Sequence, residues 1–123
     1  MSDKVALVLD DQPMNVSFIK VFLMSSGFKV FTASDGLQGL EHCKNQKFDL
    51  VFSDIEMPNM NGFEFLRAAR KLPEYGKIPI VILSTLDDDE TKNRMKTLGA
   101  SFYVVKPFTN EKMQLALKTV GLA

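Results

Sequence analysis

Cysteine and histidine are nearly absent: the sequence has one of each, Cys43 and His42. A lone cysteine excludes an internal disulfide, and a lone histidine excludes a histidine metal cluster. Neighbouring side chains on a helix point in different directions, so the two do not converge on one ligand. Their setting, Leu40-Glu41-His42-Cys43-Lys44, reads as ordinary helix, with a half-buried thiol rather than a nucleophile and a structural or surface histidine. An excess of charge is also missing, since Lys plus Arg and Asp plus Glu each number 15. Nucleic-acid binding usually leaves a basic excess, and this chain has none. Long apolar runs are missing too, and none approaches the roughly 20 residues needed to span a bilayer. The polar start Met1-Ser2-Asp3-Lys4 leads into an apolar run of strand length and lacks the tripartite pattern of a signal peptide. The expectation is a cytoplasmic protein that acts on neither membrane nor nucleic acid. Repeats, low-complexity tracts and long linkers do not appear.

What is present fits one domain over residues 1–123, with 46% hydrophobic residues to form a core. Short apolar runs alternate with longer helical patterns. The predicted strands are Val5–Leu9, Lys29–Ala33, Leu50–Ser53, Ile80–Leu83 and Phe102–Val105. Most lack polar alternation, as strands covered on both faces do. A helix is predicted over Asn15–Ser26, with Phe18, Ile19, Phe22 and Leu23 on one face and Gly27 as its stop. Ser34 is the expected cap of a second helix carrying Leu37 and Leu40. Phe63, Leu66 and Ala69 mark a third. Met95 and Leu98 lie in a fourth, ended by Gly99, and Met113, Ala116, Leu117 and Val120 stripe the last. The order is (βα)₅. Parallel strands need crossovers, and these are right-handed in nearly all cases. An α/β three-layer sandwich follows, and by analogy its parallel sheet takes the flavodoxin-like order 2-1-3-4-5.

The polar residues sit where such a fold makes them meet. The first strand ends in Asp10-Asp11, the third in Asp54, the fourth in Ser84-Thr85 and the fifth in Lys106-Pro107. In an open parallel sheet the strand C-termini share one edge, where ligands bind. Clustered carboxylates repel, and a hard cation with oxygen ligands relieves this; Mg²⁺ suits such a set. Lys106 can pair with a carboxylate or a phosphoryl group, and Ser84 can donate to a phosphoryl oxygen. The set matches phosphoryl transfer, in which positioning and charge neutralisation do most of the work. Singly, each piece has a plainer reading. An acidic pair before Pro13 can be a helix start, Ser84-Thr85 a cap, and Lys-Pro a turn. Asp87-Asp88-Asp89-Glu90 reads better as acids at a helix N-terminus than as a second metal site.

In order and spacing, Asp10-Asp11, Asp54-Ile55-Glu56-Met57-Pro58-Asn59-Met60-Asn61-Gly62, Ser84 and Tyr103-Val104-Val105-Lys106-Pro107-Phe108 resemble a response regulator receiver domain of the chemotaxis type along essentially the whole chain. The resemblance implies that Asp54 is phosphorylated by a histidine kinase or phosphotransfer protein. It implies that Asp11 binds Mg²⁺ directly, Asp10 through water, and Glu56 through its backbone carbonyl. Ser84 becomes the hydroxyl that follows the phosphate, Lys106 the phosphate-pairing lysine with a cis bond to Pro107, and Tyr103 the aromatic switch. The fourth helix, fifth strand and fifth helix become the surface offered to a downstream protein. Such a domain catalyses only its own phosphorylation and dephosphorylation. Thr85 departs from the small residue usual there, Asn61 stands where Asp is common, and Glu56 places an acid beside the approach of water. These departures bear on phosphate lifetime.

Two other functions use related parts. A haloacid-dehalogenase-type phosphohydrolase also forms a phospho-aspartate with Mg²⁺, but it carries nucleophile and acid on one Asp-x-Asp segment and needs a cap for which no length remains. A flavodoxin needs a first loop rich in Ser, Thr and Gly, whereas Asp10-Asp11-Gln12-Pro13 repels a flavin phosphate.

Overall fold

The computed structural model describes residues 4–122; the polar start at Met1-Ser2-Asp3 lies outside them. The strands are β1 (Lys4–Leu9), β2 (Phe28–Ala33), β3 (Leu50–Asp54), β4 (Ile80–Ser84) and β5 (Phe102–Val105). The helices are α1 (Pro13–Ser25), α2 (Gly36–Asn45), α3 (Gly62–Arg70), α4 (Asp89–Leu98) and α5 (Asn110–Thr119). All pairings are parallel, and the order is β2-β1-β3-β4-β5. The flavodoxin-like order expected by analogy is the order found.

Strand alternation builds two cores. Ala6, Val8, Leu50, Phe52, Val81 and Leu83 face α1 and α5, meeting Ile19, Phe22, Leu23, Met113, Ala116 and Leu117. Leu7, Leu9, Val51, Ile80 and Ile82 face the other way, onto Phe48, Phe65, Leu66, Ala69 and Met95. Every residue of β3 and β4 is buried. Each buried Leu, Ile, Val or Phe contributes about 1.5–3 kcal/mol relative to exposure, so the centre of the sheet is its firmest part. The functional edge begins at the ends of these two strands.

Several local expectations change. Proline supplies the start of α1, which begins at Pro13 rather than Asn15. Phe18 is 38% exposed instead of core-facing and stacks on Phe108 with centroids 6.0 Å apart. Asp35, not Ser34, caps α2: its carboxylate accepts the Gln38 N–H at 2.8 Å. The charged acceptor is the stronger cap, and Ser34 donates instead to Gln38 Oε1. Leu37 points to solvent at 53% exposure. Cys43 is buried rather than half-buried, and burial raises its thiol pKa to about 11, which makes it inert. Gly27 and Gly99, expected at helix ends, both have positive φ.

Candidate functional site: an acidic cleft at the sheet edge

Three strand ends deliver the charged groups. Asp10 follows β1, Asp54 is the last residue of β3, and Lys106 follows β5. Register sets their neighbours, since Asp54 lies beside Leu83 in β4 and Ser84 beside Val105 in β5. Carboxylate oxygens of Asp10, Asp11 and Asp54 all lie within 4.8 Å of one another. Among the described residues this is the acidic group that converges. The acids of residues 87–90 do not join it. Asp88 caps α4 through the Thr91 N–H, Asp89 and Glu90 lie in the first turn, and Asp87 pairs with Lys92.

Asp54 is 6% exposed. Its Oδ1 accepts the Ile55 N–H at 2.8 Å and lies 3.3 Å from Lys106 Nζ. Burial, then repulsion from Asp10, raises its pKa to about 6, with Lys106 and the Ile55 N–H opposing. Asp10 uses Oδ1 to accept the Gln12 N–H, while its Oδ2 is buried without a hydrogen-bond partner, 3.5 Å from Lys106 Nζ. An orphaned carboxylate oxygen is costly to bury. Two buried carboxylates, an exposed third and one lysine leave net negative charge in one small space. That all-oxygen donor set fits a hard divalent cation such as Mg²⁺, and it offers none of the histidine or cysteine ligands on which zinc sites are usually built.

The β3–α3 loop is held firmly beside this cluster. Asn61 and Glu64 form a reciprocal capping box on α3. Asn59 adopts a left-handed conformation that its short amide tolerates, and it donates to Asp35 at 2.7 Å. Hydrogen bonding to Gln38 and Asn59 holds the Asp35 carboxyl below its ordinary pKa. Gly62 donates its N–H to the Ile55 carbonyl at 2.8 Å. A Cβ at Gly62 would strike the Asp54 carbonyl and the Ile55 Cα, so only glycine lets α3 begin this close to Asp54.

An open cleft of about 770 Å³ leads to the cluster. Asp11, Asp54, Glu56, Ser84, Thr85 and Lys106 all line it, together with Met57, Phe63 and Leu86. Thr85 and Glu56 are exposed at its mouth. The Ser84 hydroxyl accepts the Leu86 N–H at 3.0 Å, so Ser84 shapes its own loop and does not cap α4. The Tyr103 hydroxyl donates to the Leu86 carbonyl at 2.8 Å, which ties β5 to the segment leading into α4. Burial raises its pKa. The Lys106–Pro107 bond is cis, as expected.

Sequence reasoning missed three contributors. Phe63 packs half-buried against the core, as its helix spacing predicts, and its further role as a wall of the cleft carries no sequence signal. Arg94, an exposed residue of α4, lies with its guanidinium carbon 3.9 Å from the Phe63 ring centroid. Arg70 donates to the carbonyls of Tyr75, Ile78 and Gly99, joining α3 to the far end of α4. Periodicity carries no signal for contacts between elements so distant in sequence.

Comparison with known proteins agrees with this geometry. Residues 6–118 match the response regulator receiver domain, and the chain belongs to that family. A relative from Rhizobium etli, "Probable chemotaxis protein CheY", is 39% identical over 93% of this chain and 89% of its own length. "Protein PilH" of Pseudomonas aeruginosa is 34% identical over 94% and 93%. The crystal structure of the Vibrio cholerae chemotaxis response regulator CheY4 superposes with a TM-score of 0.91 at 34% identity, covering 97% of this chain and 99% of its own. The chain is thus a receiver domain of two-component signalling, and the phosphohydrolase reading is not favoured. Among the described residues no helix is long and apolar enough to cross a membrane.

Proposed function

We propose that Asp54 accepts a phosphoryl group from a phosphohistidine on a histidine kinase or phosphotransfer protein. A carboxylate oxygen of Asp54 attacks phosphorus, the phosphorus–nitrogen bond breaks, and the leaving histidine nitrogen keeps the electron pair. The observation that carries this reading is Asp54's burial at the end of β3 with Lys106 Nζ 3.3 Å from its Oδ1. Asp10, Asp11, Asp54 and the Glu56 carbonyl are the groups assigned to Mg²⁺, which when bound supplies positive charge against the phosphoryl oxygens. Lys106 holds its ammonium where the transferred oxygens arrive. Ser84, 2% exposed on the adjacent strand, offers its hydroxyl to one of them once it gives up the Leu86 N–H. Pro107 turns the chain after Lys106.

The reading extends to a switch. Ser84 and Tyr103 both bond to Leu86, one to its N–H and the other to its carbonyl. If Ser84 turns to the phosphoryl group, Leu86 shifts and Tyr103 loses its acceptor, altering the α4–β5–α5 surface offered to a downstream protein. A few kcal/mol between two states suffices for one new hydrogen bond to bias them. The work is self-modification, not turnover of a substrate, and the cytoplasm is its setting because ATP charges the kinase there. Residues 1–123 act as one domain in this reading.

The test is phosphorylation by acetyl phosphate, or binding of beryllofluoride, with Mg²⁺ present. Asp54→Asn abolishes both. Undiminished labelling of that variant sinks the assignment.

A further inference from the structure

Helix α4 is held weakly by its own packing. Met95 is its one residue buried among the core side chains, with Leu98 half-buried beside it. Its other attachments are polar or aromatic and can be named. At its C-terminal end Arg70 donates to the Gly99 carbonyl at 2.7 Å through Nη2. Just before its N-terminal end Tyr103 donates to the Leu86 carbonyl at 2.8 Å. Midway along, Arg94 stacks on Phe63 at 3.9 Å from the ring centroid. Phe63 belongs to the first turn of α3, which begins where Gly62 touches the Asp54–Ile55 backbone. The Phe63 ring is also a wall of the cleft, facing the same space as Met57, Thr85 and Leu86.

Tyr103 reaches the cleft through Leu86 and Ser84. Arg94 reaches it by another route, through Phe63 and the turn that carries Asp54. The two routes share no side chain. We propose that Arg94 is a positioning residue that couples α4 to the Asp54 cleft through Phe63, independently of Tyr103. The inference rests on Asp54 being the phosphoacceptor. A guanidinium over an aromatic face at an exposed site is attractive enough to bias two helix positions by about two- to fivefold. Because α4 has little buried area to overcome, a bias of that size is felt. Coupling is reciprocal, so occupation of the cleft must alter the Arg94–Phe63 contact as much as that contact alters the cleft.

The experiment is amide NMR of the full chain with Mg²⁺, titrated with beryllofluoride. Wild type, Arg94→Ala, Arg94→Lys, Tyr103→Phe and the Arg94→Ala/Tyr103→Phe double variant are compared. Arg94 is exposed, so its truncation leaves the core untouched. The ligand-induced shifts of residues 91–98 fall at least twofold in Arg94→Ala, while those of Ile55 and Glu56 persist. Arg94→Lys, which keeps the cation, recovers part of the loss. The same proportional loss appears when Arg94→Ala is added to Tyr103→Phe. Unchanged α4 shifts in Arg94→Ala overturn the proposal, as does a loss that vanishes in the Tyr103→Phe background, since Arg94 would then act through Tyr103. Absence of any shift at Ile55 and Glu56 in wild type overturns the phosphoacceptor reading itself, and the coupling with it.

Discussion

Lys106 Nζ stands 3.3 Å from Asp54 Oδ1, yet the Asp54 carboxyl still titrates near 6. One cation does not offset burial and the neighbouring Asp10 together. The sign follows directly. The folded pKa of about 6 lies above the ordinary 3.8, so the folded protein holds this proton more tightly than the unfolded chain does. The contribution to stability is fully present below 3.8 and is lost as pH rises through about 6. At neutral pH without divalent ions, ionised Asp54 therefore destabilises the fold, by about 1–2 kcal/mol after allowance for solvent screening. Asp54→Asn removes that penalty. Urea denaturation in EDTA should show the variant more stable than wild type at pH 7 and the difference shrinking toward pH 4. A constant difference across that range would show that Asp54 titrates normally.

Divalent ions should act on the same charge. Mg²⁺ at ten times its dissociation constant stabilises the native state by about 1.4 kcal/mol if it binds only the folded form. Asp11→Ala should weaken binding, followed by calorimetry or by the rise in melting temperature, more than any alanine substitution within residues 87–90. Those acids already serve α4, through the Asp88 cap and the Asp87–Lys92 pair. The reverse ranking would move the metal to the other acidic group.

The position of Asp54 also depends on a residue without a side chain. Gly62→Ala puts a methyl group against the Asp54 carbonyl and the Ile55 Cα, backbone atoms of two buried residues. Backbone must shift, at a cost of about 2–4 kcal/mol. Denaturant midpoints report that loss. Phosphorylation by acetyl phosphate should fall as well, because the shift moves the acceptor relative to Lys106. A variant with native stability would mean the loop has slack that its hydrogen bonds do not suggest.

Much of this site is legible in the sequence, for a physical reason. Strand ends in a parallel sheet share an edge, so Asp10, Asp54, Ser84 and Lys106 could be brought together from the strand pattern alone. The strands themselves read clearly because β3 and β4 are buried on both faces and carry continuous apolar runs. Helix faces were read less well. Phe18 has the spacing of a core residue but finds Phe108 at the surface, and Leu37 faces solvent. Asp35 caps α2 by the same local rule that pointed to Ser34, with Oδ1 accepting the Gln38 N–H, whereas its second bond, from Asn59 to Oδ2, comes from 24 residues away and no local rule supplies it. The Arg94–Phe63 stack and the Arg70 clasp on Gly99 were invisible for the same reason. Charged residues on helices usually face solvent, and only the folded chain shows which ones turn back.

Thr85 governs the last expectation, the lifetime of phospho-Asp54. It follows Ser84 directly, is exposed, and lines the cleft beside Lys106 and Leu86. Hydrolysis needs a water in line with the scissile bond, and small donors need the same approach in the forward direction. A β-branched side chain is stiff and cannot fold away easily. Glu56, exposed across the cleft, can orient a water or repel hydroxide, so its effect has no fixed sign. The steric effect of Thr85 does have one. Thr85→Ala should both speed phosphorylation by acetyl phosphate and shorten the phosphate's life, by on the order of tenfold, or about 1.4 kcal/mol in barrier. Both rates should rise together, since one obstruction serves both directions, and Thr85→Val should keep them low because its bulk matches threonine. Decay of radiolabel and stopped-flow phosphorylation measure the two rates separately. If alanine leaves them unchanged, or valine behaves like alanine, bulk at position 85 does not set access to Asp54.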